Sequence, residues 1–82
     1  MKKITEHFEN RLSERFGFEI STLAQLLKKP IMLKNNSEEL RFFPRLKNTF
    51  RKYPQSTLVV EESLNMCIVS VEGVLITCYS LN

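Results

Sequence analysis

The stretch that most limits what this chain can become is its last third, Thr57 to Asn82, which reads TLVVEESLNMCIVSVEGVLITCYSLN. Three apolar runs, rich in β-branched residues, are separated by two short polar breaks. Runs of that kind bounded by turn residues form strands, so a three-stranded antiparallel meander is expected. A sheet this small is not stable bare, and the rest of the chain has to cover it on one face. The tightest break is Glu72-Gly73, flanked by Val71 and Val74. A two-residue loop there sets Val71 opposite Val74, Val69 opposite Ile76 and Cys67 opposite Cys78, all on one apolar core face. The other face then carries Met66, Ile68 and Ser70 with Tyr79, Thr77 and Leu75, a mixed surface open to a partner. A longer loop would shift this register.

The segments before the sheet read mainly as helices. Met1 to Lys3 is expected to be a loose basic end. Thr5 is placed to cap a helix, with Glu6 and Glu9 in its first turn, where carboxylates suit the helix dipole. Phe8, Leu12 and Phe16 recur at spacing four, and Gly17 supplies the stop. Ser21 or Thr22 can cap a second helix carrying Leu23, Ala24, Leu26 and Leu27, with Lys28 and Lys29 in its last turn and Pro30 ending it. The short connection predicts a helical hairpin. Ile31 to Leu33 reads as an extended piece. From Ser37 to Tyr53 a helical stripe (Leu40, Phe43, Leu46, Phe50, Tyr53) is interrupted by Pro44, so a break or a fresh helix start is expected there. A strand over Leu40 to Phe43 is the alternative. The expected fold is therefore α+β: an N-terminal helical hairpin packed on a small C-terminal antiparallel sheet of three to four strands.

Length makes this one domain, 1–82, with a modest core. At 43% hydrophobic the chain is ordinary globular material. No apolar run follows the basic start, and no stretch reaches the ~18 apolar residues of a membrane span. Two cysteines are not a disulfide framework. A soluble cytoplasmic protein without membrane contact is the expectation. All nine acidic residues are Glu, which removes the usual Asp-centred Mg²⁺ site and the Asp-rich Ca²⁺ loop, and no metal or cofactor is expected.

Two basic constellations stand out against a net charge of +3. His7, Arg11 and Arg15 share one side of the first helix. An imidazole with two guanidiniums suits phosphodiester cleavage, His7 moving a proton while the arginines hold the phosphate. The competing reading is a solvated face, with Glu9 and Glu14 pairing to the arginines. The second constellation is Arg41, Arg45, Lys47, Arg51 and Lys52, five positive charges with no acid between them. Phe42, Phe43, Phe50 and Tyr53 are interleaved, a combination suited to single-stranded nucleic acid. The helical stripe assigns Phe43, Phe50 and Tyr53 to the core, which leaves Phe42 as the free ring. Cys67 and Cys78 read as buried thiols. Tyr79 can serve as an acid or phosphate contact, or simply sit with its hydroxyl in water.

The opening T-E-H-F-E-N-R-L-S-E-R-F-G, with its H-x-x-x-R-x-x-x-R spacing, is similar to the first helix of a family of small microbial domains. Those domains are related to the RelE-type toxins and to the barnase, EndoU and colicin group of ribonucleases. Val74 to Tyr79, V-L-I-T-C-Y, resembles their closing strand. The resemblance covers the first seventeen residues and the last dozen or so. It implies two N-terminal helices before an antiparallel sheet of about four strands, and RNA cleavage as the activity. It places His7, Arg11 and Arg15 on the helix and Thr77 and Tyr79 on the strand, near the site. The middle departs from the pattern: those domains set strands between the second helix and the terminal hairpin, where Ser37 to Tyr53 reads as helical.

These readings point to a small basic RNA-interacting protein acting as a metal-independent, toxin-like endoribonuclease. His7, Arg11, Arg15 and Tyr79 would be catalytic, with Arg41, Arg45, Lys47, Arg51 and Lys52 along the nucleic acid. The alternative is a non-catalytic phage or mobile-element protein that binds and inhibits a host protein; a basic DNA-binding accessory protein is a third. A protein partner would be an antitoxin or a host target, and a homodimer fits any of these readings.

Overall fold

A computed structural model of the chain describes residues 3–81. Met1 and Lys2, read above as part of a loose basic end, and Asn82 lie outside the described residues. Lys3 is tied down rather than loose: its carbonyl accepts from Leu75 N–H at 2.9 Å. The fold is α+β, with helices α1 (Glu6–Phe16), α2 (Ile20–Leu26) and α3 (Leu46–Lys52) and strands β1 (Ile31–Leu33), β2 (Thr57–Glu61), β3 (Met66–Val71) and β4 (Val74–Ser80). The strands form one antiparallel meander in the order β1-β2-β3-β4.

α1 begins where the sequence places its cap. Thr5 Oγ1 accepts from Phe8 N–H at 3.1 Å and lies 3.0 Å from the Leu75 carbonyl, to which it donates. One hydroxyl thus satisfies a helix end and fastens it to β4. Gly17 ends α1 in the left-handed region, φ 70°, with its N–H on Ser13 O. α2 starts two residues earlier than a Ser21 cap would allow, with Glu19 at the N-cap and no side-chain bond there. Lys28 and Lys29 fall beyond its end, because the Glu61 carboxylate takes their backbone N–H groups at 2.9 and 3.3 Å. Pro44 divides the central segment as expected: a 3-10 helix (Glu38–Phe42) precedes it and α3 follows.

The sheet is buried on both faces, not one. Leu58, Val60, Cys67 and Val69 pack with Leu40, Leu46 and Phe50 on one side. Met66, Ile68 and Cys78 pack with Phe8, Leu12 and Leu23 on the other. The residues expected on an open outer face, Met66 and Ile68, are therefore core beneath α1 and α2. β3 is buried at nearly every position, the pattern of a strand covered on both sides.

The Glu72-Gly73 loop is the two-residue turn expected. Both residues have positive φ, 52° and 79°, the type I′ pattern that matches strand twist. Val71 pairs with Val74 and Ser70 with Leu75, but Val69 pairs with Thr77. The register skips Ile76, a β-bulge that the alternation of apolar residues does not announce. Beyond it Cys67 lies opposite Tyr79 and Ile68 opposite Cys78. The two cysteines are buried and free, on opposite faces of the sheet.

Candidate functional site

β4 is an edge strand, with α1 on one face of the sheet and α3 on the other. Its outer edge starts closed. Ile4 pairs in parallel with Leu75, and Thr5 N–H donates to the Leu75 carbonyl at 3.1 Å. Farther along, side chains take over. Arg15 reaches from α1 and donates through Nη1 to the Cys78 carbonyl at 3.0 Å. Here α1 and α3 flank the strand edge and form a cleft of about 360 Å³.

α1 contributes His7, Arg11 and Arg15 to this cleft, and β4 contributes Thr77 and Tyr79. α3 and its end contribute Asn48, Thr49, Lys52 and Tyr53. The i, i+4, i+8 row on α1 faces the cleft because Phe8 and Leu12, one position on, are locked into the core. The bulge at Ile76 has the matching effect on the strand, turning Thr77 and Tyr79 to the α3 side. The lining residues carry an imidazole, two guanidiniums, an ammonium and the hydroxyls of Thr49, Tyr53 and Thr77 beside the Tyr79 ring, and no carboxylate. Such a surface accepts an anion rather than a cation.

The cations are held differently. Arg15 is anchored on the strand carbonyl, so its charge is fixed at the cleft wall. Arg11 pairs with Glu14 at 2.7 Å on the rim, an exposed contact worth about 0.2–1 kcal/mol that a phosphate can replace. Lys52 Nζ lies 5.5 Å from the Tyr53 ring centroid. The Tyr79 ring lines the cleft, while its Oη is buried with no hydrogen-bond partner. Burial, then the neighbouring Cys67, pushes its pKa up, so it stays a neutral phenol. Burial likewise pushes the Cys67 thiol up to about 12 and the Cys78 thiol to about 11, the latter against a small opposing pull from Arg15. Neither is an activated nucleophile. Among the described residues no group of His, Cys, Asp and Glu is placed to hold a metal ion.

The second basic constellation is not one surface. Lys52 joins His7, Arg11 and Arg15 in the cleft. Lys47 and Arg51 lie beside Leu40 and Asn35 on another side of α3. Arg45 borders a separate groove, and Arg41 covers the Phe42 ring at 4.9 Å. Phe42 is the free ring, as its place outside the stripe suggests, and is 63% exposed. Sequence reading missed Asn48, Thr49 and Tyr53 as cleft residues. Asn48 and Lys52 do recur at spacing four, but only the fold shows that this row faces α1 across β4.

No helix among the described residues is long and apolar enough to cross a membrane. Comparison with protein-family models, with curated proteins and with solved structures finds no match to this chain.

Proposed function

We propose that this protein is a small RNA-interacting protein that takes the phosphate backbone into the α1–β4–α3 cleft and cleaves it without a metal, in the manner of the toxin-type ribonucleases its ends resemble. The observation that carries this reading is the cleft itself: His7, Arg11, Arg15 and Lys52 converge from two helices on one strand edge with no carboxylate among the lining residues. His7 takes the proton from a ribose 2′-hydroxyl as that oxygen attacks the neighbouring phosphorus. The bond to the 5′-oxygen breaks, that oxygen receives a proton from water, and a cyclic phosphate is left. Arg11 and Arg15 hold the non-bridging oxygens and offset their developing charge. Tyr79 forms part of the cleft wall through its ring, its hydroxyl being buried.

The rival reading, a phage or mobile-element inhibitor of a host protein, draws on small size and the lack of a catalytic motif, and in part on a half-apolar outer sheet face. Met66 and Ile68 of that face are 0% and 2% exposed, so this last support is gone. The experiment is RNA cleavage by wild type and His7→Ala, side by side with EDTA. Wild type is expected to cleave, and the variant to bind RNA without cleaving it. Equal cleavage by both removes His7 from the mechanism, and cleavage by neither leaves RNA binding to be judged by its salt dependence.

A further inference from the structure

The phosphate cleft has a neighbour that the proposed reaction does not use. A groove of about 380 Å³ is lined by Phe42, Phe43, Arg45, Glu62, Asn65 and Leu81, among others. Phe42 is 63% exposed and carries the Arg41 guanidinium at 4.9 Å from its ring centroid. A large ring held in water by a 3-10 helix adds nothing to the core, and a stacked guanidinium is the geometry that also receives a planar, electron-rich partner.

The placement matters more than the ring. Thr77 and Tyr79 line the cleft, and Leu81, continuing the same alternation, lines the groove. Tyr79 and Leu81 are two residues apart, about 7 Å along extended chain. α3 makes the same link from the opposite wall: its end bears Lys52 in the cleft, its start bears Leu46 in the groove, and its length is about 10 Å. The cationic cleft and the groove bearing Phe42 thus share the end of β4 and α3 as walls, so a phosphate in one and an unpaired base in the other can belong to one strand.

We infer that the Phe42 groove is a nucleobase-stacking subsite, and that the ligand of the cleft is single-stranded RNA with an unpaired base laid on Phe42. This rests on the phosphate-binding reading of the cleft. Arg41 and Arg45 supply positive charge beside the ring, and Asn65 and Glu62 offer polar groups to a base edge. A duplex, whose bases are already stacked on each other, cannot use the platform.

The test is fluorescence anisotropy at low salt with a labelled single-stranded RNA whose 2′-hydroxyls are methylated, so that it binds without being cleaved, and the same backbone made abasic, using wild type, Phe42→Ala and Phe42→Trp. Wild type should bind the base-bearing strand about tenfold more tightly than the abasic one. Phe42→Ala should erase that difference and leave abasic binding unchanged; Phe42→Trp should keep it. Abasic binding without any gain from bases overturns the subsite and spares the cleft. A loss in Phe42→Ala that is equal on both strands also overturns it. Binding to neither strand removes the cleft reading and this one together.

Discussion

At the scale of single residues, Glu61 shows how a charge can be structural. It is 4% exposed at the end of β2, yet its Oε1 accepts from the N–H groups of Lys28 and Lys29 and its Oε2 from the Ser63 hydroxyl. The hydroxyl first and the backbone N–H groups after it hold its pKa below the ordinary 4.5, against burial, which works the other way. A carboxylate depressed on folding contributes stability that is present above its unfolded pKa and lost as pH falls through its folded pKa. Wild type should therefore melt above Glu61→Gln at pH 7, and the gap should close as pH falls below about 4.5. Melting curves of both proteins across that range measure it; a gap independent of pH would mean that the charge contributes nothing. Nothing in sequence announces this residue, because Glu61-Glu62 reads as a solvated break. Only the folded chain brings the α2 end to the β2 end.

Elements were legible where a local rule decides them and hidden where a neighbour decides. Thr5, Gly17 and Pro44 bound their segments for reasons carried by their own backbone or side chain. The Glu72-Gly73 turn was legible through Gly73, which takes positive φ freely between two apolar runs, although Glu72 is a weaker signal for the type I′ loop it forms. The bulge at Ile76 was not legible. It lies where Lys3 and Thr5 bond to Leu75, contacts that come from the far end of the chain. It turns every later residue of β4 over, which is why Cys67 and Cys78 part and Thr77 and Tyr79 reach the cleft. Burial of both sheet faces did leave a trace, the unbroken apolar run Met66 to Val69, which an alternating, one-sided reading passes over. The turn offers a direct check. Glu72 holds φ 52° without being glycine, a conformation costing about 1 kcal/mol. Glu72→Asn, better suited to that position, should raise the melting temperature by roughly 4–8 °C. No rise would place the strain elsewhere.

At the scale of the molecule, one four-stranded sheet separates two apolar clusters, and neither cluster is large enough to stand alone. About 80 residues give a total stability of only ~4–12 kcal/mol, so half of the core could not hold the sheet against the entropy of ordering it. The two layers must then unfold together. The cysteines report on this, one on each side: Cys67 under α3 and Cys78 under α1. With thiols pushed to about 12 and about 11, both are inert to alkylation while folded and react only on opening. Ile68→Val thins the α1 side and Val60→Ala the α3 side, each at a cost of about 1–2 kcal/mol. If the molecule opens as one unit, either change should raise labelling of both cysteines by the same factor, roughly 5–30-fold. Mass spectrometry of pulse-alkylated protein distinguishes the two sites. Faster labelling of Cys78 alone in Ile68→Val would show that the helical hairpin peels off by itself. The cleft would then not be a rigid site, because its α1 wall, with His7, Arg11 and Arg15, would leave β4 without global unfolding.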